Sequence, residues 1–187
     1  MNRLLLILLL GYFLVSDQDD CRIISPEDGA ALPPGEISII AVAQGGQLLL
    51  DDEQLSVKQP FPDVLGDKIT PTPGKHRLTL AWANGKSEIS FFVGDNPPEG
   101  FKPFRQHPPS AVECVQCHSL SRKGRLRFTG GCFGCHEQSS FSKTHSHQPP
   151  ILEQCGQCHA AHGSTTKAHL ILTREKACGL CHTTPSH

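Results

Sequence analysis

Four copies of one five-residue pattern stand in the last third of the chain. They are Cys114-Val-Gln-Cys117-His118, Cys132-Phe-Gly-Cys135-His136, Cys155-Gly-Gln-Cys158-His159 and Cys178-Gly-Leu-Cys181-His182. Two thiols three positions apart can each add to one vinyl group of a porphyrin, and the following His can bind its iron as proximal ligand. Zinc ribbons and thioredoxin-like sites share C-x-x-C, but neither explains a His after the second Cys in every copy. The pattern predicts four covalently attached c-type haems.

The second axial position of each iron decides between electron transfer and chemistry, because a filled position favours the former. The only Met is residue 1, so methionine is excluded and His/His ligation at low potential is predicted. Six further histidines stand in this region. We predict that the distal ligands are His107, His147, His162 and His169, with His145 and His187 as alternatives to His169.

The haem region contains an internal repeat. His107-Pro-Pro-Ser-Ala-Val-Glu-Cys114 matches His147-Gln-Pro-Pro-Ile-Leu-Glu-Gln-Cys155 with one extra residue, and each copy continues to a second motif. This indicates a duplicated two-haem unit. The stretches between motifs are short and Gly-rich, so we expect short helical turns to carry the motifs.

These features resemble the doubled C-x-x-C-H family of multihaem cytochromes over about residues 107–187. Cys158-His159-Ala-Ala-His162-Gly163-Ser164 is close to the family's C-H-x-x-H-G-S run. The first copy departs from the run, because Ser121 stands where His162 stands in the second. The source of one distal ligand is therefore open.

The haem region has too few apolar residues for a core of its own. Leu, Ile, Val and Phe number fifteen of its 87 residues from Phe101 onward, below the roughly 20% that marks disorder-prone composition. Four apolar macrocycles would supply the missing core, so the form without haem is expected to be unfolded.

Charge also divides the chain. Residues 101–187 carry ten Lys or Arg against four Glu, and the residues before them carry seven basic and fourteen acidic groups. The eight propionates of four haems would offset the excess, and the cluster Arg122, Lys123, Arg125 and Arg127 could pair with them. This account leaves no signal for a nucleic-acid partner.

The first twenty residues suit a signal peptide, because Asn2 and Arg3 precede a short apolar run from Leu4 to Val15. Export to the periplasm or the cell exterior is predicted. Membrane association would need an uncleaved signal anchor or lipidation of Cys21, the one cysteine outside the motifs. The acidic residues before Cys21 disfavour lipidation.

Residues 22–95 predict an all-β immunoglobulin-like sandwich. Ile37, Ile39 and Ala41 alternate along one face, six or seven short strands are indicated, and Asn84-Gly85 predicts a hairpin. Trp82 is expected in the core and His76 on an exposed strand face. Residues 96–104 are Pro-rich and predict a semi-rigid linker that blocks ladder pairing. Residues 105–187 complete a mixed fold as a haem-cored, loop-rich module with short helices.

The sequence predicts an exported tetrahaem electron carrier without enzymatic activity, with other redox proteins as partners. Assembly into an extracellular cytochrome filament, in which a His of one subunit completes a haem of the next, is compatible with the surplus of histidines. The alternative is a reductase of a small nitrogen or sulfur oxide at one five-coordinate haem. Ser121 is the one feature that favours it.

Overall fold

The computed structural model describes residues 21–107, 113–137 and 154–182. The predicted signal segment, His145, His147 and His187 lie outside these residues. Within them, no helix is long and apolar enough to cross a membrane.

Nine strands between Arg22 and Val93 form two packed sheets. They are β1 Arg22–Ser25, β2 Ala30–Leu32, β3 Ile37–Val42, β4 Gln47–Leu50, β5 Glu53–Gln54, β6 Lys58–Phe61, β7 Val64–Ile69, β8 Gly74–Trp82 and β9 Gly85–Val93. One sheet has the order β1-β3-β7-β6. The other runs β2-β9-β8-β4-β5 and gains β10 (Lys102–Pro103) beside β2. This matches the two-sheet strand order of an immunoglobulin-like sandwich, with the first strand divided between the sheets.

The core forms because alternate residues of facing strands are apolar. Ile37, Ile39 and Ala41 are at most 1% exposed, as the alternation predicted. Leu78 and Leu80 of β8 are fully buried opposite them. Trp82 packs against this core at its margin and is only half-buried.

The structure confirms the hairpin predicted at Asn84-Gly85. β8 and β9 do form a hairpin, with Trp82 paired to Gly85, but neither Asn84 nor Gly85 has a positive φ. The left-handed pair lies instead at Asp51 and Asp52, with φ of 50° and 73°, in the two-residue turn between β4 and β5. Positive φ at both central positions is the backbone of a type I′ turn, which Asp tolerates.

The expectation for His76 was wrong: its side chain is 7% exposed. Its Nδ1 lies 2.7 Å from Asp51 Oδ2 and its Nε2 lies 2.7 Å from the Thr72 carbonyl oxygen. The ring also stacks on Phe91, with centroids 5.3 Å apart. A polar ring can be buried there because both nitrogens have partners.

The prolines of the predicted linker do not prevent strand pairing at its end. The N–H groups of Lys102 and Phe104 donate to Gly29 O and Ala31 O, at 2.8 and 2.7 Å. Pro103 lies between them on an edge strand, where its nitrogen faces away from β2, so no ladder bond is lost. Phe104 is 4% exposed and belongs to the sandwich core.

The remaining described elements are short, as expected for the region of the motifs. They are β11 Arg105–Gln106, β12 His118–Leu120, β13 Leu126–Phe128, β14 Gly163–Ser164, helix α1 Arg174–Gly179 and several 3-10 turns. β12 and β13 form a hairpin with Arg122, Lys123 and Arg125 in its turn and Arg127 in β13, and β11 pairs with β14. The second pairing joins the sandwich side of the chain to the segment after the third motif.

The Asp51 turn is predicted to stabilise the sandwich. Burial disfavours the charged form of the Asp51 carboxylate and raises its pKa. Hydrogen bonds from the Arg77 N–H and with the His76 ring outweigh this and hold the pKa of Asp51 below its ordinary value. A lowered folded pKa adds stability that is present above the unfolded value, about 3.9, and is lost as pH falls through the folded pKa. Asp51→Asn should cost about 1 kcal/mol near neutral pH, since the carboxylate is half exposed.

Scanning calorimetry from pH 3 to pH 7 checks this, with Asp95→Asn on the exposed surface as control. The difference in melting temperature between wild type and Asp51→Asn should shrink toward acid pH. A difference that does not change with pH would contradict the charge-based account.

Candidate metal centre

Each C-x-x-C begins in a tight helical turn. Three motifs form 3-10 turns at Cys114–Gln116, Cys132–Gly134 and Cys155–Gln157, and the fourth motif begins near the end of α1. In every copy the N–H of the second Cys lies 3.1–3.2 Å from the carbonyl oxygen of the first. Residues i and i+3 of a 3-10 turn eclipse, so we expect the two thiols of such a motif to face the same side. This is the placement that attachment to one flat group requires.

Three of the motifs converge. Burial raises the pKa of the Cys132 thiol, and a hydrogen bond with Cys155 raises it further, with a smaller contribution from Cys117. These residues come from the second, third and first motifs. Thiols from separate turns therefore lie in one region, and no disulfide joins the cysteines that the structure describes.

His118 and His162 face each other with nearly parallel ring planes. Their centroids are 5.9 Å apart and the planes differ by 12°. Two imidazole nitrogens bound at about 2 Å on opposite sides of one metal ion put the ring centroids about 6 Å apart. The centroid separation is compatible with two histidines that would hold one iron between them, and the pair joins the first motif to the second copy of the repeat.

A second parallel pair joins His107 to His136, with centroids 5.8 Å apart and planes differing by 15°. Nδ1 of His107 lies 2.9 Å from the Ala161 carbonyl oxygen. A carbonyl only accepts, so Nδ1 carries the proton and Nε2 of neutral His107 keeps its lone pair. Such a bond from the non-ligating nitrogen is usual for metal-binding histidines.

His159 shows the same arrangement on the proximal side, since its Nδ1 donates to Ala168 O at 2.8 Å. Ala168 and His169 both have positive φ, at 59° and 54°, which turns the backbone sharply here. His169 lies 5.4 Å from His107 but at 61°, so these two rings are not parallel. The role predicted for His169 stays a prediction, as does that of His147.

Electrostatics favour neutral rings in the cluster. Burial lowers the pKa of His162, and His118 and His107 lower it further. Burial also lowers the pKa of His169, with smaller contributions from His107, Arg105 and His159. The neutral ring is the form that offers a lone pair to a metal.

Large apolar side chains lie exposed around the motifs, which suits an apolar cofactor. Val115 is 69% exposed, Phe128 55% and Leu180 63%. These exposed side chains offer surface that an apolar group could cover. Arg122, Lys123, Arg125 and Arg127 are all exposed beside it, where carboxylates of a bound group could reach them.

Sequence reasoning missed the residues of the sandwich that contact this region. Phe61 of β6 lies edge-on to His118, with centroids 6.3 Å apart. Glu27, in the turn after β1, accepts hydrogen bonds from Thr165. No local pattern marks either residue, because each contact joins segments more than fifty positions apart.

Residues 147–187 match the family model described as the doubled CXXCH motif. The match supports a multihaem c-type cytochrome that acts in electron transfer. No curated protein matches the chain.

Two solved structures are similar to part of the chain. One is of fibronectin(III)-like modules of Clostridium thermocellum CbhA, at 17% identity and TM-score 0.33, covering 40% of this chain and 95% of that one. The other is an endo-beta-1,4-mannanase from Thermotoga petrophila, at 14% identity and TM-score 0.34, covering 41% of this chain and 20% of that one. The immunoglobulin-like assignment rests on strand order and register.

Removal of one attachment site should remove one cofactor. In Cys132→Ala/Cys135→Ala the second motif cannot form its thioether bonds, so intact mass spectrometry should show three haems where the wild type shows four. Cys21→Ser, outside the motifs, should retain four. A wild type with fewer than four haems, or a double variant that retains all four, would contradict the prediction.

Proposed function

We propose that this chain is an exported tetrahaem c-type cytochrome that transfers electrons to or from another redox protein. Four C-x-x-C-H motifs and the family match support the class. The parallel His118–His162 pair supports a carrier, because it offers ligands for both sides of one iron. When bound, haem iron supplies one-electron redox chemistry.

The cysteines supply the attachment. Each thiol would hold the haem by adding across one vinyl double bond, with a new carbon–sulfur bond, the thiol hydrogen on the other vinyl carbon and no leaving group. The 3-10 turns hold the two thiols on one side and bring the next residue, a His, beside them. The eight residues are Cys114, Cys117, Cys132, Cys135, Cys155, Cys158, Cys178 and Cys181.

The histidines supply axial ligands. His118, His136, His159 and His182 are the proximal set, and the geometry favours His162 opposite His118 and His107 opposite His136. These histidines would hold the iron from both sides and would leave no position for a small substrate. The bound haems would supply one-electron transfer, in which an electron accepted from a reduced partner would go to an oxidised one with no net change in the protein.

The position of His162 also bears on Ser121, the feature that favoured a reductase. Ser121 leaves the first copy without the third-position His of the family run, but the ring of His162, from the second copy, lies 5.9 Å from that of His118 and supports a ligand supplied from there. The carrier function is therefore preferred. Secretion and association with other cytochromes, including copies of this chain in a filament, are part of the same proposal.

Electron paramagnetic resonance of the oxidised holoprotein tests this function. The wild type should show only low-spin ferric haem, at an intensity that accounts for four haems. His162→Ala should convert about one quarter of that intensity to high-spin signal, because one iron loses its second axial ligand. His162→Met should instead raise the potential of one haem in a redox titration.

Ser121→Ala is the matched control, since it changes the repeat-equivalent position that carries no imidazole. It should leave the spectrum unchanged. A substantial high-spin signal in the wild type would exclude complete His/His ligation and favour the reductase. An unchanged spectrum in His162→Ala would exclude His162 as a ligand.

A further inference from the structure

We propose that the β-sandwich positions the two proposed distal ligands His107 and His162. It does so by holding residues 160–166, here called the ligand loop. The inference rests on the proposed function, since it concerns how the axial ligands are held. It gives the sandwich a structural role inside the redox module. The residues that act are Glu27, Phe104, Arg105, Gln106 and Gly163.

The attachment begins with a two-residue antiparallel ladder. Arg105 of β11 pairs with Ser164 of β14, and Gln106 pairs with Gly163. The next positions outward are His107 on one strand and His162 on the other. A short ribbon thus presents both proposed distal ligands side by side at its end, and the bond from His107 Nδ1 to Ala161 O ties them together.

The sandwich core anchors one strand of this ribbon. Phe104 is buried in the core directly before β11, and its N–H donates to Ala31 O at 2.7 Å. The backbone N–H of Ser38 in β3 donates to Gln106 Oε1 at 2.6 Å. β11 is therefore held to both sheets, and His107 follows immediately after it.

The side chains of Glu27 in the sandwich and Arg105 in β11 hold the other strand. Glu27 Oε2 accepts from the N–H and the hydroxyl of Thr165, at 3.1 and 2.8 Å. Arg105 Nη2 donates to Thr166 O at 2.8 Å. A carboxylate that accepts two hydrogen bonds in a half-buried setting fixes the loop strongly, because charge-assisted bonds are the stronger ones. His162 lies three residues before Thr165.

Close approach makes Gly163 necessary. Its φ is 116°, and a Cβ atom placed there would lie 2.5 Å from Arg105 O and 2.6 Å from a ring carbon of Phe104. Any side chain would push the ligand loop away from β11. The proximal side of the same pair also contacts the sandwich, since the Phe61 ring lies edge-on to His118.

The test compares Glu27→Gln and Gly163→Ala with the matched control Glu53→Gln, on an exposed strand. All three are made in the full holoprotein. Gly163→Ala should convert between about a quarter and a half of the low-spin intensity to high-spin signal, because His162 alone or both ribbon histidines lose their positions. Glu27→Gln should give the same change to a smaller extent.

Added imidazole should restore the low-spin signal in both variants, by filling the freed axial positions. Calorimetry should show the sandwich transition in all three proteins, which separates loss of positioning from loss of fold. If Gly163→Ala does not fold, the spectrum of Glu27→Gln alone tests whether the sandwich positions the ligand loop.

Four low-spin haems in Glu27→Gln and Gly163→Ala would overturn the inference while leaving the proposed function intact. High-spin signal in Glu53→Gln would also overturn it, because the effect would then not depend on the ligand loop. A wild type without four low-spin haems would instead overturn the proposed function itself.

Discussion

The backbone pairing between Arg105–Gln106 and Gly163–Ser164 is the interaction on which the arrangement of the haem region depends. It is only two residues long, and an isolated ladder of that length would not be stable in water. It persists because one strand continues from the buried Phe104 and the other is bound by Glu27. The folded sandwich thereby stabilises a segment that has few apolar residues of its own.

That dependence follows from composition. The first part of the chain has a buried core of alternating Ile, Leu and Val residues, whereas the described haem segments bury few large side chains. A chain with such an imbalance can order its second part in two ways: by enclosing apolar cofactors or by attaching it to the first part. The structure shows the second of these directly, and the motifs indicate the first.

Much of the fold could be predicted from sequence because its signals are local. The alternation at Ile37, Ile39 and Ala41 marks a buried strand face, and the C-x-x-C spacing predicts the short turns that the structure shows. The predictions for His76 and for residues 102–104 were wrong for one reason. Burial of His76 depends on Asp51, which is 25 positions away, and the strand at Lys102 depends on the free edge of β2; neither partner is close in sequence to the residue it pairs with.

The functional site shows the same difference between residues with a local sequence signal and residues that depend on long-range contacts. Proximal residues are adjacent to their cysteines and can be read from the motif, whereas the partner of each distal histidine depends on how the repeats fold together. Glu27 and Phe61 carry no sequence signal because their contacts are long-range.

The facing of His118 and His162 has a consequence for the history of the chain. A tandem duplication ordinarily yields two units that can each be lost again without harm. Under the proposed ligation, the second unit would lend an imidazole to the first, whose own equivalent position is Ser121. The second copy could then not be deleted without leaving the first short of a ligand. Shortening such a gene would require a new histidine in the first copy before the old one was lost.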